Sequence, residues 1–115
     1  MLEVELPYPP SVNHYWRHYR GRMVISRWGQ RFRDQVRNVL ARMNVKPLTG
    51  KLAVSVEVFP PDRRRRDLDN LLKAIGDSLE HGGAFHDDSQ IVWLLIEKAS
   101  VVRGGKVVVR ITERR

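Results

Sequence analysis

Arg63-Arg64-Arg65-Arg66 sets four guanidiniums side by side in a chain of 115 residues, and a packed interior cannot accept them. Neighbouring guanidiniums repel one another and need hydration or a polyanion to coexist, so this segment has to lie on the surface. Its borders are ordered. Before it, Leu52, Val54, Val56 and Val58 alternate with Lys51, Ala53, Ser55 and Glu57, the period of a strand, and Pro60-Pro61 ends that strand. After it, Leu68, Leu71, Leu72, Ile75 and Leu79 recur at helical spacing until Gly82-Gly83 closes the helix. The run is thus an exposed connection that enters a helix through its acidic end, with Asp67 expected at the N-cap and Asp69 in the first turn.

The remaining elements follow from the same periods. Leu2, Val4, Leu6 and Tyr8 alternate with Glu3 and Glu5 as a first strand that stops at Pro9-Pro10. Residues 13–26 are polar, aromatic and basic, and read as a loop or short hairpin turning at Gly21. With Ser26 as N-cap, Trp28, Phe32, Val36, Val39, Leu40 and Met43 mark an amphipathic helix ending before Pro47. Residues 91–102 are apolar enough for a buried strand, which the Gly104-Gly105 turn is expected to fold back on residues 106–112 as a hairpin. The order β-α-β-α-β-β predicts an α+β fold: one small domain, residues 1–115, with a mixed sheet packed by two helices. A chain this long has room for one core, burying roughly two-thirds of the surface its unfolded form exposes.

Charge narrows the function. Lys and Arg number 21 against 13 Asp and Glu, a net charge of +8, which favours a polyanionic partner through counterion release. Cysteine is absent, which excludes disulfides and thiolate zinc sites. The longest apolar run, Ile91 to Ile96, is far too short to span a bilayer, so no membrane partner is expected. Met1-Leu2-Glu3-Val4-Glu5-Leu6 has neither the basic start nor the long apolar stretch of a signal peptide, and a cytoplasmic protein is expected.

Phosphodiester hydrolysis near neutral pH requires charge on the non-bridging oxygens to be offset and a nucleophile to be made from water, and divalent metals held by carboxylates do both. Asp67, Asp69 and one of the pair Asp87-Asp88 would suffice for Mg²⁺, which takes few protein carboxylates and keeps several waters. Taken singly, aspartates at a helix start are caps and dipole partners worth roughly 0.3–2 kcal/mol, and Asp87-Asp88 is a loop before a strand. Lys73 lies four residues after Asp69, where an ordinary ion pair is worth roughly 0.2–0.5 kcal/mol, and Asp77 can claim the same lysine from the other side. The functional role for Lys73 is to stabilise charge developing at a scissile phosphate. It is the combination with the arginine run, which suits phosphate contacts, that points to a metal-dependent nuclease. His81 and His86 read as surface residues. Tyr15, Trp16 and Tyr19, set among Arg17, Arg20 and Arg22, suit base stacking, a dimer contact or plain packing equally. Asp67-Leu68-Asp69 lacks the preceding apolar strand of phosphatase Asp-x-Asp motifs, and Pro61-Asp62 lacks the downstream spacing of PD-(D/E)xK nucleases, because Glu97 is followed at once by Lys98.

Taken together, Pro9-Pro10-Ser11-x-Asn13, the segment Pro61 to Leu71 with Lys73, Asp87-Asp88-Ser89-Gln90, Gly104-Gly105 and Ile111-Thr112-Glu113 resemble the RusA family of Holliday junction resolvases, in order and over nearly the whole chain. The resemblance implies a RusA-like fold and a homodimeric, Mg²⁺-dependent endonuclease, bacterial or phage-encoded, that makes paired symmetric nicks in four-way junction DNA during recombination and repair. It implies Asp67, Asp69 and Asp88 as metal-site and catalytic carboxylates, Lys73 as the catalytic lysine, and Arg63, Arg64, Arg65 and Arg66 as DNA contacts. A non-catalytic junction-binding module, whose aspartates only cap the basic helix, is the alternative. Residues 91–96 and the region near Trp16 are both candidates for the dimer interface.

Overall fold

A computed structural model describes residues 1–114. Its strands are β1 (Leu2–Pro7), β2 (Trp16–Tyr19), β3 (Arg22–Ile25), β4 (Lys51–Phe59), β5 (Ile91–Lys98) and β6 (Lys106–Arg114). Its helices are α1 (Val12–Tyr15), α2 (Arg27–Arg42) and α3 (Asp69–His81), with a 3-10 turn at Asp88–Gln90. The main sheet runs β1-β6-β4-β5, and β2 with β3 form a separate two-stranded ribbon. β6 is antiparallel to both β1 and β4, whereas β4 and β5 are parallel and joined through α3, so the sheet is mixed and the fold is α+β as expected.

Alternation places Val4 and Leu6 of β1, Leu52 to Val58 of β4 at every second residue, and Val107, Val109 and Ile111 of β6 in one core with Phe32, Val36 and Leu40 of α2 and Leu71, Ile75 and Leu79 of α3. On the opposite sheet face Arg110 donates to Glu3 at 2.8 Å and to Glu57 at 2.5 Å. No helix among the described residues is long and apolar enough to cross a membrane.

Four expectations are revised. β5 and β6 do not form a hairpin, because β4 lies between them. β6 inserts between β1 and β4, where both of its backbone edges are paired and Val107, Val109 and Ile111 are 0 % exposed. The link from β5 steps across the end of β4, held by Ala99 N to Val58 O at 2.7 Å and Val102 N to Pro60 O at 2.9 Å. β5 is not buried either. It forms the sheet edge, with Val92, Trp93, Leu94 and Leu95 between 42 and 51 % exposed.

Asp67 is not the cap of α3, because Leu68 occupies that position and no side chain caps the helix. Within α2, Trp28 and Met43 leave the apolar stripe for the surface, and Trp28 lies under Arg27 at 4.9 Å instead. Ser26 caps α2 as expected, its hydroxyl accepting from Gly29 N at 3.1 Å. Residues 13–26 include the short hairpin β2–β3, turned by Arg20 and Gly21, both with positive φ, as its tight connection requires.

Gly29 is where α2 meets α1. A Cβ there would stand 2.5 Å from the Tyr15 carbonyl and 2.8 Å from Ile25. Helix propensity alone favours Gly29→Ala by up to about 1 kcal/mol, but the overlap is with backbone, so the substitution should instead cost about 1–3 kcal/mol and lower the thermal midpoint. Calorimetry of the variant checks the sign.

Candidate active site

The buried stripe of α3, formed by Leu71, Ala74, Ile75, Ser78 and Leu79, fixes the rotation of the helix and turns Asp69 and Lys73 outward. Both are exposed, and they stand one turn apart at the helix start. Lys73 takes no part in any ion pair among the described residues. A cleft of about 640 Å³ runs between α3 and β5, with Asp69, Lys73, Glu80 and Asp88 in its lining above an apolar floor that includes Val54 and Leu94.

Asp88 enters this cleft from its far end. The 3-10 turn is built by a reciprocal cap: Asp87 accepts from Ser89 N at 2.8 Å, while Gln90 Oε1 accepts from the His86 and Asp87 amides, both at 2.9 Å. Gln90 also ties the turn to the preceding loop, donating to Leu48 O at 3.1 Å and Gly50 O at 2.9 Å. The Ser89 amide holds the Asp87 carboxyl below its ordinary range. Asp87 thereby caps the turn; it and Asp88 are both exposed, and the Asp88 amide donates to Glu80 Oε1 at 2.7 Å.

Asp67, Asp69 and Asp88 do not converge within one chain. Glu80, which holds the Asp88 amide, lies eleven residues after Asp69, about 16 Å further along the axis at the helical rise. Asp67 opens onto a different cleft of about 530 Å³, shared with Tyr8, His14, Asn70 and Arg64 to Arg66. Among the described residues, the acidic group whose ligand atoms lie within 4.8 Å of one another is Glu80, Asp87 and Asp88. Glu80 was absent from the sequence candidates. The signal existed, since eleven residues is close to three full turns and returns Glu80 to the face of Asp69.

The arginine run is organised by Asp62, to which the sequence assigned no role in ordering it. Its Oδ1 accepts from Arg64 N at 2.9 Å and Arg66 Nη1 at 2.6 Å, and its Oδ2 from Arg64 Nε and Nη2 at 3.3 Å each. The Arg66 and Arg64 bonds keep the Asp62 carboxyl well below the usual carboxylate range. Arg66 also lies over the Tyr8 ring at 5.6 Å and is held from behind by Lys98, which donates to its carbonyl at 3.0 Å. Arg63 and Arg65 are left exposed. Tyr15 at the end of α1 and Trp16 of β2 pack edge to face at 5.1 Å, whereas Tyr19 is 43 % exposed between Arg17 and Arg20, each at 5.3 Å.

Residues 7–112 match the family described as Endodeoxyribonuclease RusA. The chain belongs to the RusA endodeoxyribonuclease family. It is 44 % identical over 112 residues to a crossover junction endodeoxyribonuclease RusA of Shigella sonnei, covering 96 % of this chain and 92 % of that one. The protein of the same name in Escherichia coli K12 is 43 % identical over 112 residues, again 96 % of this chain and 92 % of the relative. The crossover junction endodeoxyribonuclease of Enterobacteria phage 82 is 44 % identical over 111 residues, with the same shares covered. The RusA match includes the arginine run, all of α3 and the Asp87-Asp88 turn.

Asp62→Ala adds one positive charge to the surface while removing the acceptor that orders Arg64 and Arg66. A surface acting through charge alone would bind DNA more tightly. A pre-organised pair of guanidiniums should bind about two- to fivefold more weakly, as for loss of an exposed ion pair; fluorescence anisotropy with labelled DNA at fixed salt separates the two.

Proposed function

We propose that this protein is a Mg²⁺-dependent, structure-specific endodeoxyribonuclease that resolves Holliday junctions by paired symmetric nicks during DNA recombination and repair. It would act as one catalytic domain in the cytoplasm of a bacterial cell, whether encoded by the chromosome or by a phage. The observation that carries this reading is that the Asp62-ordered arginine loop delivers its guanidiniums to the same end of α3 at which Asp67, Asp69 and Lys73 stand. Cations that hold a phosphodiester backbone and carboxylates that hold a cation are thereby adjacent, in a family of endodeoxyribonucleases.

The working unit is proposed to be a homodimer, for two reasons. Two related cuts on a two-fold junction need two related sites, and a C2 pair supplies them. Second, the separation of Asp69 from Asp88 along α3 leaves each chain with an incomplete set of carboxylates. β1, one sheet edge, carries Glu3 and Glu5 and ends at Pro7, which discourages pairing; β5, the other, presents Val92 to Leu95 exposed and unprotected. Antiparallel pairing of β5 with its copy would bring Asp88 of each chain to the level of Asp67 and Asp69 of the other, since α3 and β5 run in opposite directions. Each site would then be shared. Of the two candidate interfaces, the exposed β5 edge is favoured over the Trp16 region, where Trp16 is largely spent on packing.

The donor set is made of carboxylate oxygens, which fits a hard cation such as Mg²⁺. Asp67 and Asp69 of one chain with Asp88 of the other would hold it, and the bound ion would supply charge neutralisation and a more acidic water. Arg63 to Arg66 grip the backbone beside the cut. Lys73, unpaired and one turn from Asp69, stabilises charge on the phosphate oxygens as the bond breaks.

Asp88→Asn should leave junction affinity unchanged within a factor of about two and reduce Mg²⁺-dependent cleavage by at least about a hundredfold. Gel shift without divalent metal and single-turnover cleavage with it read the two quantities. A protein that binds junctions without cutting, before and after the substitution, would instead be a binding module.

A further inference from the structure

Asp77 follows Lys73 by one turn on α3, the spacing at which a carboxylate and an ammonium pair across a helix face. The pair is not made. Asp77 Oδ2 accepts instead from Arg33 Nε and Nη2 of α2, each at 2.9 Å, and from the Tyr15 hydroxyl at the end of α1. Arg33 Nε also reaches the Tyr15 oxygen at 3.1 Å, and Ser78 Oγ lies 3.4 Å from the same hydroxyl.

The surroundings favour this arrangement over its rival. Tyr15 is 0 % exposed, and burial together with its bond to Asp77 raises its pKa, so the hydroxyl remains a neutral donor. Burial works against the charge of Arg33, but its bonds to Asp77 and Tyr15 outweigh that and keep the guanidinium protonated. A half-buried guanidinium fork and a buried phenol outcompete an exposed ammonium, because charge-assisted bonds strengthen away from water whereas a surface helix pair is worth little.

We infer that Arg33 and Tyr15 are positioning residues of the nuclease: by taking up the Asp77 carboxylate, they withhold it from Lys73 and leave that ammonium free for the phosphate. The inference rests on the catalytic reading of Lys73. Nothing in the α3 sequence distinguishes Asp77 from an ordinary partner of Lys73. What distinguishes it is supplied by α1 and α2, which approach α3 at Ser78 and Asp77 and bring the two donors with them.

The test compares single-turnover, Mg²⁺-dependent cleavage of a four-way junction by the full-length parent and by Arg33→Met, Arg33→Met with Asp77→Asn, and Lys73→Met, with metal-free junction binding measured for each. Arg33→Met frees Asp77 to neutralise Lys73 and should slow cleavage about two- to fivefold, the range of an exposed ion pair, with binding unchanged. Adding Asp77→Asn should restore the rate to within about twofold of the parent. If the cluster only clamps α3 in place, removing a second member of it will slow cleavage further or leave it low, and that result overturns the inference. Unaltered cleavage by Arg33→Met overturns it as well. Lys73→Met cutting like the parent would instead refute the catalytic reading on which the inference stands. If Arg33→Met does not fold, Tyr15→Phe with and without Asp77→Asn carries the same comparison, with rescue expected and its absence decisive.

Discussion

The seating of α3 governs what this molecule can do. Leu71, Ile75 and Leu79 enter the same core as Val54, Val56 and Phe85, and that stripe determines which way the rest of the helix points. Rotated by half a turn, about two residues at 100° each, the helix would bury Asp69 and Lys73 and expose leucine. The stripe therefore fixes a polar line along α3, from Asp69 through Lys73 to Glu80, at no structural cost beyond that of packing the helix. Local bonds complete the arrangement at both ends: Asp62 orders the guanidiniums at the helix start, and the Asp87–Gln90 cap orders the turn that carries Asp88.

Length and polarity of α3 create the main functional constraint. A parallel β4–α3–β5 unit necessarily sends the chain back along the helix before β5 begins, so residues just before α3 and just after it are separated by the helix length. Asp67 and Asp69 fall at one end and Asp88 at the other. In the proposed dimer, a second copy paired through β5 would remove the separation, and the same pairing would help to cover exposed apolar side chains at a sheet edge of the kind that proteins otherwise protect. One contact would then answer both the chemistry and the exposed edge.

Local periodicity made most elements legible. β1, α2, β4 and α3 were readable because alternation and the helical repeat are properties of consecutive residues, and Pro9-Pro10, Pro60-Pro61 and Gly82-Gly83 punctuate them. Strand order was not readable: Gly104-Gly105 signals a turn, but whether β6 lands beside β5 or beyond β4 depends on which neighbours bury Val107, Val109 and Ile111. Apolar composition likewise could not tell a buried strand from an uncovered edge, so Val92 to Leu95 read as core. In the site, the residue types of Asp67, Asp69, Lys73 and Asp88 were visible, with the choice of Asp88 over Asp87 coming from the family resemblance; the turn geometry supplies a physical reason, since Asp87 serves as the cap. The hold of Arg33 and Tyr15 on Asp77 depends on contacts between distant segments, which no spacing rule encodes, whereas Asp62 beside Arg64 and Arg66 is a local contact and Glu80 lies three turns after Asp69, so both were open to a closer reading of the spacing.

The most direct test of the shared site is subunit complementation. Asp69→Asn and Asp88→Asn proteins, each inactive alone, are co-refolded so that mixed dimers form, and nicks in a four-way junction are mapped. In a shared site, the Asp69 of one chain meets the Asp88 of the other, so each mixed dimer holds one intact site where the parent holds two, and single unpaired nicks should appear at up to about half the parent's nicks per dimer. Mixed dimers that remain inactive would contradict the account, because they would mean that each chain assembles its own carboxylates.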